Sequence, residues 1–134
     1  MNYLLDTCVV SDFFKKIPSV IAHFKQHSPK QLYLSTISVM EVEYGLFLNK
    51  ERELKIRPLW EVLLENIQIV PLSELSARAA ATLRAQLKIA GAPIGPYDIL
   101  LAGTALAHNF TLVTSNMHEF KRIPEIIAED WRIN

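Results

Sequence analysis

The sequence predicts an α/β fold: a three-layer domain with a central, mostly parallel sheet of about four to five strands flanked by helices. Three observations carry that prediction. Short apolar runs at Tyr3–Leu5, Leu32–Ser35, Ile67–Val70 and Thr111–Thr114 have the unbroken hydrophobicity of strands buried on both faces. Helical segments separate them, and the resulting order, βαα, βαα, βα, αβ, β, favours parallel pairing through crossovers. The chain has 134 residues, half of them hydrophobic, which fits one domain, 1–134, burying about two thirds of its unfolded surface.

The first strand ends at Asp6 and a helix starts just after it, so Asp6 is either a helix cap or an acid delivered to the carboxyl edge of the sheet. Cys8 reads as a small core residue and Asp12 as a solvated helix charge. Ile17-Pro18-Ser19 breaks that helix; Ser19 is placed to cap a second, through about His27, that buries Val20, Ile21 and Phe24. His23 and His27 stand one turn apart without a carboxylate or cysteine and read as surface histidines. After the second strand, Thr36-Ile37-Ser38 leads into a helix to about Asn49, in which Ser38 and Glu41 have capping-box spacing. Glu41 still starts that helix beyond a strand end, at the same edge as Asp6. Glu43 points to solvent, and Gly45, costing up to ~1 kcal/mol against Ala in mid-helix, implies close packing.

Lys50 to Glu65 is a charged amphipathic helix with Leu54, Trp60, Leu63 and Leu64 as its apolar side. With the end of the preceding helix it predicts a projecting helical hairpin over about 45–65, whose apolar residues need a partner. Beyond the third strand, Ser73 caps a helix to Ala90 closed by Gly91, with Leu75, Ala79, Leu83 and Leu87 buried. Arg84 and Lys88 lie one turn apart on it, a repulsion that solvent or a polyanion would relieve. Pro96 then opens an almost uncharged helix to about Ala107. Ile99, Leu100, Ala102, Gly103, Ala105 and Leu106 cover most of its circumference, so it should be enclosed. Asp98 sits in its first turn, where a carboxylate meets the positive end of the helix dipole. A turn at His108-Asn109, the fourth strand, a polar loop with Asn116 and Glu119, and a last short strand at Ile126–Ala128 complete the order before Trp131.

Asp6, Glu41 and Asp98 therefore fall at three strand-to-helix junctions, and Asn116 with Glu119 at a fourth. Each alone has a routine structural explanation. Together they would form a pocket of carboxylates that repel and raise one another's pKa unless a cation joins them. All-oxygen ligands without His or Cys select a hard cation, Mg²⁺ or Mn²⁺. The chemistry that follows is hydrolysis of a phosphodiester by metal-activated water.

LLDT near the start, SVMEVEYGL, the block GAPIGPYDILLAGTALAHNFTLVTSNMHEFKRI and Trp131 together resemble the PIN-domain ribonucleases, specifically the VapC toxins of bacterial toxin–antitoxin pairs, over nearly the whole chain and in order. The resemblance implies a Mg²⁺-dependent endoribonuclease, held inactive by a VapB-type antitoxin and homodimeric or hetero-oligomeric with it. It assigns Asp6, Glu41, Asp98 and Glu119 to the metal, with Asn116 completing the catalytic pocket where many members carry aspartate. Thr7 and Thr114 match polar positions beside the site that orient water or the acids, and Arg84 and Lys88 resemble basic positions that hold RNA phosphates. The implied substrate is single-stranded or looped RNA, commonly tRNA or ribosomal RNA in the family.

Composition limits the partners. Fourteen basic and fourteen acidic residues balance, so overall charge gives no support for polyanion binding, which must come from local patches. One cysteine excludes an internal disulfide and fits a reducing compartment. No segment reaches ~18 apolar residues and no secretory signal opens the chain, which predicts a cytoplasmic protein without membrane contact. Aspartyl-phosphate phosphatases also open with a strand ending in Asp, but they need an acid two residues later, where Cys8 stands. Receiver domains expect an acidic pair on an early strand that this chain lacks. A catalytically inactive PIN-like RNA-binding or dimerisation module is the remaining alternative, and such modules usually lose the acids retained here.

Overall fold

The computed structural model describes residues 1–133; Asn134, the last residue of the predicted domain, lies outside them. Among the described residues there are five strands, β1 (Tyr3–Leu5), β2 (Leu32–Ser35), β3 (Gln68–Val70), β4 (Thr111–Val113) and β5 (Ala128–Glu129). They form one sheet in the order β3-β2-β1-β4-β5, and every pair is parallel. The helices are α1 (Thr7–Phe14), α2 (Pro18–Gln26), α3 (Thr36–Phe47), α4 (Lys50–Asn66), α5 (Glu74–Ile89), α6 (Pro96–His108) and α7 (Met117–Phe120), with one 3₁₀ turn at Pro29–Gln31. The α/β order predicted from the sequence is found with one addition: the stretch after β4, read from the sequence as a polar loop, contains the short helix α7.

Side chains alternate across the sheet with the two-residue period of extended backbone. Tyr3, Leu5, Leu32, Leu34 and Val113 face a core shared with α1 to α4, including the fully buried Trp60. Leu4, Tyr33 and Leu112 face the opposite core, made with α5 and α6. The crossovers β1→β2→β3 run one way across the sheet; the β3→β4 connection passes back over β2 and β1, and right-handed crossovers in opposite directions put their helices on opposite faces. That reversal produces three layers and places β1 beside β4.

Several local expectations are corrected by contacts distant in sequence. Ser19 does not cap α2; Ile17 holds the cap position without a side-chain bond, and the Ser19 hydroxyl donates to the carbonyl of Arg132. Asp12 is buried, 5 % exposed, and pairs with Arg132 at 3.3 Å. Glu43 accepts from Arg57 at 2.7 Å and from the Trp60 indole at 2.5 Å; Arg57 lowers its pKa through that bond, against a smaller rise from burial. His23 and His27 stack on Trp131, with centroids at 5.0 and 5.2 Å, because Trp131 returns against α2. A Cβ added at Gly45 would meet nothing within 4 Å, so the close packing expected there is absent. In α5 the buried residues are Ser76, Ala80, Leu83 and Leu87; Leu75 is 68 % exposed and Ala79 half-buried, the inner stripe being set one residue later by contact with α6. Leu54 is exposed, whereas Trp60 and Leu63 of the same helix are buried.

Candidate active site

In-register pairing of β1 with β4 brings the residues after each strand to one edge. The strand order reverses between them, and in open parallel sheets that reversal opens a crevice at the carboxyl ends. Asp6 leaves β1 there, its N–H donating to Val113. Its side chain is 7 % exposed, with Oδ1 accepting from the Thr7 N–H at 2.7 Å and Oδ2 from the Thr114 hydroxyl at 2.8 Å. Asp6 is thus the cap of α1 and a member of the crevice at once. Burial raises its pKa, opposed chiefly by the bond from Thr114.

Glu41 reaches the same edge because the cap is not where the sequence suggests. α3 starts at Thr36, its cap is Ser35, whose hydroxyl accepts from the Ile37 N–H, and Ser38 is buried inside the helix. The Ser38–Glu41 capping box is therefore absent: the last residue of β2 satisfies the helix start first. Glu41 accepts instead from the Thr7 hydroxyl at 2.8 Å, which also lies 3.0 Å from Ser38 Oγ.

The loop before α6 supplies the third wall. The Gly95 N–H donates to Glu119 Oε1 at 2.7 Å, and a Cβ at Gly95 would sit 3.6 Å from both Asp98 Oδ2 and Glu119 Oε1. Asn116 donates its amide to Glu119 Oε2 at 2.9 Å, and its N–H to Thr114 Oγ1 at 2.9 Å. Since one Cβ at Gly95 would meet both, Asp98 Oδ2 and Glu119 Oε1 lie on the same side of Gly95. Sequence reasoning misses Gly95 as part of the site and reads Ser38 only as a helix cap; the Gly-Pro step into α6 is the signal for the first, and the spacing of Ser38 to Glu41 the signal for the second.

The electrostatics follow from this crowding. Burial pushes Asp98 up to about 7, and its hydrogen bond with Glu119 and the charges of Asp6, Glu119 and Glu41 push the same way. Burial would raise Glu119 as well, but the Gly95 N–H, the Asn116 amide and Asp98 outweigh it and leave its pKa lowered. Cys8 is raised by burial and by Asp6, and its Sγ accepts from the Ser115 N–H and hydroxyl at 3.5 and 3.3 Å.

Four carboxylates thus feel one another at this edge, but only Asp6 directly follows a strand. Glu41 lies in the second turn of α3, Glu119 in α7 after β4, and Asp98 in the first turn of α6, which follows α5 and not, as the sequence suggests, a strand. Their donor set suits a hard divalent cation, since each carboxylate oxygen keeps a lone pair after its hydrogen bond. Among the described residues no group of three His, Cys, Asp or Glu side chains is placed to hold a metal ion. Arg84 and Lys88 do not join the acids. They line a groove of about 750 Å³ between α5 and α6, with Ala81, Ile94, Pro96, Ile99 and Leu100, and neither forms an ion pair among the described residues.

Comparison with known proteins shows the family. The family profile for the PIN domain matches residues 3–126. The chain is 34 % identical to ribonuclease VapC2 of Rickettsia felis over 133 residues, and 32 % identical to the tRNA(fMet)-specific endonuclease VapC of Salmonella typhimurium over 133, covering 98 % of both chains each time. Among solved structures it superposes on a chain of DNA-bound VapBC from Salmonella typhimurium with TM-score 0.89 and 30 % identity, over 98 % of each chain. Sheet order, crevice and kinship converge, and the chain belongs to the PIN-domain family, in its VapC branch.

Proposed function

We propose that this chain is the toxin of a toxin–antitoxin pair, an endoribonuclease that hydrolyses RNA phosphodiester bonds with a divalent cation, Mg²⁺ or Mn²⁺, held by Asp6, Glu41, Asp98 and Glu119. The observation that carries the reading is kinship: the PIN-domain profile matches residues 3–126, and relatives named as a VapC ribonuclease and a VapC tRNA endonuclease are 34 % and 32 % identical over 98 % of both chains. The acids around Asp98, whose charges raise its pKa, support the cation, since crowded carboxylates call for a positive partner. Bound there, the cation would neutralise the acids and polarise a phosphoryl oxygen. The chain's own residues do the positioning. Thr7 aims Glu41, Thr114 aims Asp6, and Gly95 with Asn116 aims Glu119. Arg84 and Lys88 take backbone phosphates of an unpaired strand.

Kinship supports the remaining parts. One relative is named for tRNA(fMet), which makes tRNA the first substrate class to test. Solved relatives are VapBC complexes, which supports a VapB-type antitoxin as partner. Exposed Tyr44, Phe47, Leu48 and Leu54 at the α3–α4 end support a homodimer. Among the described residues no helix is long and apolar enough to cross a membrane, and the reading places the protein in the cytoplasm.

The test is cleavage of fluorogenic single-stranded RNA with Mg²⁺ and with EDTA. Asp6→Asn, Glu41→Gln and Asp98→Asn are each expected to lose roughly 100-fold or more of the Mg²⁺-dependent rate while keeping the far-ultraviolet spectrum. Full activity in EDTA would refute the metal.

A further inference from the structure

The groove between α5 and α6 joins cations to apolar walls in a way that phosphate binding alone leaves unexplained. Arg84 and Lys88 border it, but its other lining residues are apolar, among them Ala81, Ile94, Pro96 and Leu100. A sugar–phosphate backbone gains nothing from such walls, whereas a nucleobase presents two apolar faces that gain from burial. About 750 Å³ falls within the ~300–1,000 Å³ of sites that enclose small molecules. The groove also adjoins the acids. Ile94 and Pro96 flank Gly95, whose N–H is bonded to Glu119, and Ile99 follows Asp98 directly.

We propose that this groove is a nucleobase subsite, receiving one unstacked base of the RNA strand while Arg84 and Lys88 hold its phosphates. The inference rests on the ribonuclease reading and names the part of the substrate that the acids do not touch. The walls offer no aromatic ring, so the base is gripped by shape and apolar contact. Paired RNA is excluded, because a base stacked within a helix cannot turn into a groove on the protein.

Binding tests this separately from catalysis. A fluorescein-labelled ten-nucleotide single-stranded RNA of mixed sequence, and an abasic ribose-phosphate chain of the same length, are titrated with the full chain by anisotropy. The parent protein is expected to prefer the base-bearing strand by about tenfold. Ala81→Trp, which fills the groove, should remove that preference and leave the salt dependence of binding intact; Ala77→Phe on the same wall serves if that variant misfolds. Arg84→Ala with Lys88→Ala should weaken both strands equally and flatten the salt slope. Equal preference for bases in parent and Ala81→Trp would overturn the subsite. So would unchanged RNA binding combined with weakened binding of an antitoxin, which would give the groove to the protein partner. Loss of Mg²⁺-dependent cleavage by the parent, with the base preference intact, would instead sink the nuclease reading alone.

Discussion

On the proposed reading, Asp98 stands where a proton and a cation would compete for the same place. Burial raises its pKa to about 7 in the folded chain, against about 3.9 when unfolded, so the folded state binds the proton more tightly. Its stabilising contribution is therefore complete below about pH 4 and is lost as pH rises through about 7. In metal-free buffer the melting temperature should fall across that window. Asp98→Asn should flatten the fall and melt higher than the parent at pH 8, as thermal scans at fixed pH would register; a variant that melts lower at pH 8 would point to a purely structural carboxylate. At this scale the sequence is most legible for Asp6, which directly follows β1 and whose place is therefore fixed by the sheet. It misled where the partner came from far along the chain. Asp12 waits for Arg132, Glu43 for Arg57 and Trp60, and the two histidines for Trp131. A local window contains none of those pairings.

The contact between α5 and α6 illustrates the same limit one level up. A Cβ on Gly103 would lie 2.6 Å from the Ser76 carbonyl and 2.7 Å from the Ala80 nitrogen, backbone atoms that cannot step aside. Gly103→Ala should thus cost about 1–3 kcal/mol in urea unfolding. Gly45→Ala has the opposite sign: nothing lies within 4 Å, and the gain should be up to ~1 kcal/mol through helix propensity and a less flexible unfolded chain. The sequence expectation assigned close packing to Gly45 because both glycines sit in mid-helix, and only the neighbouring helix distinguishes them. For the same reason the buried stripe of α5 was read at Leu75 and Ala79 instead of Ser76 and Ala80. An alanine-rich helix carries little hydrophobic contrast, so its rotation is decided by the partner it meets.

The whole architecture was more readable than either level below it, since parallel strands announce themselves as apolar runs and crossover handedness leaves few topologies. Strand ends drifted by one or two residues: β4 stops at Val113 and β5 spans Ala128–Glu129, where flanking apolar residues blur the edge. Phe47 and Leu48 are 68 % and 70 % exposed; if they form the proposed homodimer contact, Phe47→Glu with Leu48→Glu should convert a dimer to a monomer in sedimentation velocity, and an unchanged coefficient would move the interface elsewhere. The reversal of strand order has a further effect during synthesis. β1 cannot meet β4 until the polypeptide has doubled back over β2, and a nascent chain halted at residue 94 carries Asp6 and Glu41 without Asp98 or Glu119. On the ribonuclease reading, a ribosome making this chain stays safe from it until the final third has been translated, and premature stops yield harmless fragments.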